Sequence, residues 1–481
     1  MVMRVGGIVS GMDIEAMVNK LMEAERTPLT KMKQQQTTLE WKRDAFREIN
    51  SALLELDNIV RDMKYTRAYN SKSTTSALSN VATATAGTAA TNGTYNIDVK
   101  SLATSEMQVY AAPADTVFEN DGQFTFSTYD EKGEPIEHTV DVKAGDTLKT
   151  VLKNMESASN GKVRAFLDET SNKVVLETTR TGIYNENGPE IVFTGDDHFF
   201  LSKVTKIEEQ GQAASNAQFI YNGGLTIDSR DNHYSLSGIT FNLHSVGQTD
   251  ITVRTDVDSA FDHIIKFVDK YNEVIEKMNA SQTEEKFRSF QPLTEEQKKE
   301  MSEDQIKQWE EKAKSGILKG ESSLRDGMYT LRSSLQGVVD NDGPFKLLSD
   351  LGITTTKNYL DGGKLEVDEE KLRSALETDA DAVYQLFVGD EEGKAKGLIH
   401  RFDEALDHTR AKIEEKAGKS THTLDNYVIG KQMKDLNTRI ADFEKRMVRV
   451  EERYWSQFTA MEKAISNLNQ QSSYLFSQFG S

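Results

Sequence analysis

The feature that most limits what this chain can fold into is a seven-residue spacing near its C-terminus: Met433, Ile440, Met447, Tyr454, Met461, Leu468 and Leu475. Leu436, Phe443, Val450 and Ala464 occupy the alternate seam, with Gln457 and Gln471 as polar exceptions. An apolar stripe this narrow, kept for this long, is the pattern of a coiled coil, since a helix of a globular core shows a wider apolar face. Such a helix needs a partner. The N-terminal region offers a partial one: Met32, Leu39, Phe46, Leu53 and Val60 also fall seven apart, but Ile49, Leu56 and Met63 complete the seam only in its second half.

Ahead of that stretch, Ser10 with Asp13 forms a capping pair for a short amphipathic helix carrying Ile14, Met17, Val18 and Leu21. Thr27-Pro28 then reads as a fresh start, because threonine caps well and proline suits the first helical position. A break before Pro28 and a long helix after it are therefore expected.

Between the helical ends, roughly residues 77 to 258 alternate apolar and polar. Strands are expected around Tyr95 to Val99, Phe124 to Phe126, Val140 to Val142, Val163 to Leu167 and Val174 to Leu176. A second set covers Phe219 to Tyr221, Leu225 to Ile227, Ile239 to Leu243 and Ile251 to Val253, punctuated by Asn222-Gly223-Gly224 and Ser237-Gly238. Ser73 to Thr94, rich in Ser, Thr, Ala and Gly, marks the passage from helix to sheet. Two small β-rich modules follow, one inserted in the other. Helical periodicity returns with Phe261, Ile264, Ile265, Val268, Tyr271 and Ile275, and again from Asp368 to Phe387 as a helical pair. The charged stretch 281 to 314 holds two capping boxes, Thr294 with Gln297 and Ser302 with Gln305, and reads as short exposed helices. The fold class is thus multidomain α+β: long terminal α-helices forming a coiled coil, with two β-rich domains between them in sequence.

Composition narrows the function classes. The 481 residues carry 77 acidic against 58 basic side chains, a formal charge of −19, so a nucleic-acid backbone would be repelled. There is no cysteine, which excludes disulfides, zinc-thiolate sites, iron–sulfur clusters and thiol nucleophiles together. At 37% hydrophobic and 28% charged residues the chain is wet for its length, as extended helices would be. Gly6, Gly7, Ser10, Gly11, Asp13 and Glu15 interrupt any apolar run at the start, so no cleaved signal peptide is expected. No stretch approaches the roughly 18 apolar residues that cross a bilayer, so no membrane insertion is expected either.

Catalytic patterns are missing. Gly418-Lys419-Ser420 resembles the end of a phosphate-binding loop, but Ile413 stands where its first glycine belongs, and a helix break explains it. Asp196-Asp197-His198 reads as a solvated loop, Asp340, Asp342 and Asp361 as turns without the alternating ligands of a calcium loop, and Glu295 to Glu311 as a solvated helix face. No catalytic residue, metal ligand or cofactor is expected, and the chain is not read as an enzyme.

The termini, however, carry a resemblance. Gly7-Ile8-Val9-Ser10-Gly11-Met12-Asp13, Leu21-Met22, Glu25 and Pro28-Leu29 at the start are similar to the opening of the flagellar filament cap, or hook-associated protein 2, family, with Val9 replacing the usual alanine. Glu452-Arg453-Tyr454, Gln457-Phe458, Ala460-Met461-Glu462 and Gln471-Ser472-Ser473-Tyr474-Leu475 resemble its closing motif. Gly93-Thr94-Tyr95, Gly320 to Arg325, Leu351 to Thr354 and Gly363-Lys364-Leu365 agree with internal landmarks in the same order. The resemblance covers roughly residues 1 to 110 and 206 to 481. Residues 113 to 205 match nothing and would be the family's variable outer module.

The resemblance implies a secreted, extracellular protein of the bacterial flagellum, exported through the type III apparatus with a flagellar export chaperone. At the distal filament tip it would form a ring-like homo-oligomer, usually described as pentameric, that retains flagellin and promotes its folding and polymerisation. It also implies a division into a flexible N-terminal segment (1–30), a helical leg domain (31–72 with 259–440), a β-rich head domain (73–112 with 206–258), the outer head domain (113–205) and a leg end (441–481). Candidate partner-contact residues are Ile14, Val18, Leu21, Tyr454, Phe458, Met461, Leu475, Phe476 and Phe479. For Tyr454 and Phe458, packing of one terminal arm on the other within a subunit is the competing role. A hook–filament junction protein and a surface adhesin using the outer module are the alternative functions. Because like charges repel at long range, association of the acidic chains should strengthen from low to moderate salt. Light scattering showing constant or falling mass over that range would contradict this.

Overall fold

The computed structural model describes residues 13–194, 198–207, 210–393 and 395–479, without the side chains of residues 198 and 476–479. The motif Gly7 to Met12 and the loop Asp196-Asp197 lie outside the described residues. The first helix, α1 (Ile14–Asp62), is capped by the side chain of Asp13, which accepts from the Ala16 amide at 2.9 Å. It runs unbroken through Pro28. The expected break at Thr27-Pro28 is therefore corrected, and the segment from Ile14 to residue 30 is the first part of the long helix. An interior proline forfeits one ladder bond. Tertiary packing of Ile14, Val18 and Met22, all buried, keeps the earlier turns in line.

The chain divides into two compact units, one made of the described residues up to Tyr69 and from Asp258 onward, the other of Asn70–Val257. In the second unit the strands are β1 (Lys72–Ser76), β2 (Ala82–Ala86), β3 (Gly93–Ser101), β4 (Met107–Ala111), β5 (Gly122–Tyr129) and β6 (Pro135–Val142). Helix α2 (Leu148–Ala158), β7 (Val163–Asp168), β8 (Lys173–Thr178), β9 (Val192–Thr194), α3 (His198–Leu201) and β10 (Thr205–Lys206) follow. β11 (Ala217–Tyr221), β12 (Leu225–Ser229), β13 (His233–Leu236), β14 (Ile239–Leu243) and β15 (Gly247–Thr255) complete it. Sheets ordered β1-β15-β3-β11-β12 and β13-β14-β2 enclose one core of Ile97, Val99, Phe219, Phe241, Ile251 and Val253. Their tight hairpins turn at Asn222-Gly223 and Ser237-Gly238, where all four residues have positive φ, the geometry that matches the twist of the strands.

Strands β3 and β11 are antiparallel neighbours, with Ile97 opposite Tyr221, yet more than a hundred residues separate them in sequence. The module from β4 to β10 is thus inserted into a hairpin connection. It has its own core, in which Phe124, Phe126, Val140 and Leu176 from two further sheets meet Leu148, Val151, Leu152 and Met155 of α2. Its return loop meets the inner module at Tyr184, whose ring lies against the guanidinium groups of Arg180 and Arg230 at 3.3 and 4.4 Å from its centroid.

The first unit continues with α4 (Val257–Thr283), α5 (Glu295–Lys299), α6 (Glu303–Lys314) and α7 (Ser322–Ser334). Then come a hairpin of β16 (Ile353–Thr355) and β17 (Leu365–Val367), α8 (Glu369–Phe387), α9 (Leu398–Ala417) and α10 (Val428–Phe479). Both capping boxes on α5 and α6 form as expected, and neither helix has a buried residue. α8 is a helical pair: Asp379 leaves helical geometry and its carboxylate accepts from Ala382 N at 2.8 Å, restarting the helix. Gly418 ends α9.

The second half of α1 buries Phe46, Ile49, Leu53, Leu56 and Val60, and alongside this apolar face a polar ladder joins it to α9. Arg47 donates to the carbonyls of Ala417 and Lys419 at the C-terminus of α9, both at 3.0 Å. Asn50 meets Glu414 at 3.4 Å, Asp57 meets Arg410 at 3.0 Å and Lys64 meets Asp403 at 2.6 Å. Asp57 is 1% exposed and also pairs with Arg61 at 2.9 Å. The steps from 50 to 57 to 64 keep these groups on one face, so they fix the register of α1 on α9. Breaking a buried pair from one side strands the other charge, at a cost of about 3–5 kcal/mol. Asp57→Ala should therefore destabilise the helical unit by about that much in urea unfolding; a loss below about 1 kcal/mol would contradict the ladder's role.

Candidate functional site

With no catalytic arrangement in the sequence, the candidate site is the pair of terminal helices. On α1, Ile14, Val18 and Met22 recur at four-residue steps and so form one stripe. They pack on Met447 and Val450 of α10, with Met17, Phe443, Tyr454, Trp455 and Phe458 half-buried around them. Polar contacts fix the pairing: the Tyr454 hydroxyl donates to Glu25 at 3.1 Å, Lys33 meets Glu444 at 2.8 Å, and Gln36 Nε2 donates to Asn437 at 2.9 Å. As the α1 number rises the α10 number falls, so the two helices run antiparallel. Each fully buried Ile, Val or Met contributes roughly 1.5–3 kcal/mol relative to exposure. Lys33 and Glu444 are each about half exposed and add little.

The structure thus brings Ile14, Val18, Tyr454 and Phe458 together in one intramolecular cluster. It does not bring in Leu21, which is 40% exposed. Met461 is half-buried and lies outside that cluster. Further along α10 the heptad persists while burial ends: Leu468 is 63% exposed, Tyr474 64% and Leu475 52%. Phe476 and Phe479 belong to the same helix, but their side chains are outside the described ones. Met17, Met22, Phe443, Met447, Val450 and Trp455 are cluster members absent from the candidate residues. Met447 and Val450 lie on the heptad seam, so the spacing already pointed to them; Trp455 sits beside it, and only the size of an indole flags it.

The arrangement offers a binding surface. Among the described residues no group of three His, Cys, Asp or Glu side chains is placed to hold a metal ion. Among them, too, no helix is long and apolar enough to cross a membrane.

Comparison with known proteins agrees with this architecture. Family models match at both ends: the flagellar hook-associated protein 2 N-terminus over residues 10–106 and its C-terminus over residues 214–470. The residues between these two stretches include the whole inserted module from β4 to β10. The flagellar hook-associated protein 2 of Halalkalibacterium halodurans is 34% identical over 98% of both chains, and that of Thermotoga maritima 24% identical over 98% of this chain and 95% of its own. In fold, the chain is similar to the crystal structure of the flagellar cap protein FliD D1-D2-D3 domains from Escherichia coli. That match has a TM-score of 0.58 at 23% identity and covers 82% of this chain and 99% of that one. With models of both ends of one family matched, and a relative a third identical along almost its whole length, the chain belongs to the flagellar hook-associated protein 2 family, the filament caps of bacterial flagella.

Proposed function

We propose that this chain works at the distal tip of the filament as a ring-like homo-oligomer, pentameric as the family resemblance implies, which retains exported flagellin and promotes its folding and polymerisation. In this reading it is secreted through the type III apparatus after handling by a flagellar export chaperone, and its role is mechanical, with no catalysis. The helical unit is the leg, the inner β module is the head, and residues 113 to 205 are the variable outer head.

The observation that carries the reading is where burial stops on α10. Up to Phe458 its stripe packs on α1 of the same chain; beyond it Met461 is half-buried outside that cluster, and Leu468 and Leu475 continue the stripe in solvent. An exposed apolar helical face is what a protein keeps for a partner. The candidate residues accordingly divide. Ile14, Val18, Tyr454 and Phe458 hold the two arms together within one subunit. Leu21, Met461, Leu475, Phe476 and Phe479 are assigned to contacts with flagellin or a neighbouring subunit.

A test keeps the fold and removes the stripe. Leu468→Ser/Leu475→Ser should leave the melting of the purified protein within a few degrees of the parent, since neither side chain is buried. Cells carrying it should release unpolymerised flagellin into the medium and lose motility. Swimming at the parental rate with filaments of ordinary length would sink the assignment.

A further inference from the structure

Met22 and Phe46 are buried, but between Glu23 and Ala45 no side chain of α1 is. At 1.5 Å per residue this is roughly 35 Å of helix held by half-buried contacts. Its sequence favours helix weakly. Pro28 lacks the amide that would bond to Ala24, and Thr27, Thr30, Thr37 and Thr38 lose side-chain freedom in a helix. The hydroxyls of Thr37 and Thr38 turn back onto the carbonyls of Lys33 and Gln34, a contact that slightly destabilises helices.

Where this stretch gives way to the packed half, α1 does not close fully against the helical unit. A cleft of about 680 Å³ lies at this boundary, lined by Trp41, Ala45 and Ile49 of α1, Ala280 of α4, Glu284 just past α4 and Lys314 of α6. The C-terminal part of α6 borders it through Glu311 and Lys314. Gln34 Nε2 donates to the carbonyl of Pro292 at 2.8 Å, and the Lys314 ammonium sits 4.8 Å from the Trp41 ring centroid. Lys42, paired with Glu321 at 2.5 Å, marks where firmer packing begins.

The hairpin has aromatic contacts of its own. Phe287 meets Phe290 edge to face at 6.1 Å, Phe290 lies tilted against Trp309 at 4.7 Å, and the Trp309 indole donates to the Gln291 carbonyl at 2.8 Å. It is tied to the end of α4, where Gly316 N donates to the Glu284 carboxylate and Lys319 to the Glu284 carbonyl, both at 2.9 Å. An arm anchored just past α4 and resting on a weak helix by one hydrogen bond and one cation–π contact has the build of a latch.

We propose that the α5–α6 hairpin is a latch that fastens the midsection of α1 at the mouth of this cleft, so that residues 29–41 can open locally while the buried turns before them and the part from Phe46 onward stay packed. Opening then requires loss of the contacts at Gln34 and Lys314 together with those of Lys33 and Gln36 on α10, without unfolding of the unit.

Amide hydrogen exchange of the full-length protein tests this, with Gln34→Ala/Lys314→Ala against the parent and Glu303→Gln as a hairpin variant that leaves the α1 contacts in place. The double variant should exchange residues 29–41 at least ten-fold faster, with residues 46–62 and 70–257 unchanged and Glu303→Gln at parental rates. Unchanged rates at 29–41 in the double variant would overturn the latch. So would equal acceleration at 46–62, which would make the contacts part of global stability.

Discussion

Everything in the first unit depends on one closure: α1 must find α10. The contact between Glu25 and Tyr454 joins residues 429 apart in sequence. The entropy cost of closing a flexible loop grows only with the logarithm of its length, so inserting a further module adds little to it. That is why the second unit can sit as an insertion, and why that unit can in turn carry another module in one of its hairpins. What the closure needs is enough apolar area at the two ends. Ile14, Val18 and Met22 against Met447 and Val450 supply it in a few turns.

The two halves of α1 are held differently. From Phe46 onward a wide apolar face is combined with the ladder of Arg47, Asn50, Asp57 and Lys64. The apolar face supplies most of the free energy, and the buried Asp57 with Arg410 penalises any slipped register, because a shift would leave both charges in the core. Before Phe46 the helix lies on α10 through a narrow seam, and polar pairs such as Gln36 with Asn437 mark the alignment. A narrow seam is also what leaves α10 able to present its later heptads outward.

Much of this was legible from residue type and spacing. The turns at Asn222-Gly223 and Ser237-Gly238 follow from the need for positive φ, and the capping boxes at Thr294 and Ser302 from reciprocal bonding of two residues three apart. The heptads of α10 identified the helix and its seam. Other features escaped for physical reasons. Pro28 signals a helix start locally, and only the distant packing of Ile14 and Val18 overrides it. Helix α2 carries Leu148, Val151, Leu152 and Met155 at helical spacing inside a stretch whose general alternation points to strands. Strands β1 and β2 consist of Lys, Ser, Thr and Ala, with no large apolar residue to announce them. The intramolecular share of the candidate site could not be read either, because a heptad shows that a stripe will be covered without showing by what.

The central claim is that burial by α1 ends near Phe458 and that the remainder of α10 is kept for assembly. The most direct measurement is the mass in solution of the full chain beside one ending at residue 460, by multi-angle light scattering at moderate salt. The account predicts a closed oligomer several times the 54.0 kDa chain for the full protein, and a folded monomer with the same far-ultraviolet signature per residue for the shortened one. A monomer in both cases, or an oligomer that the truncation leaves intact, would contradict it.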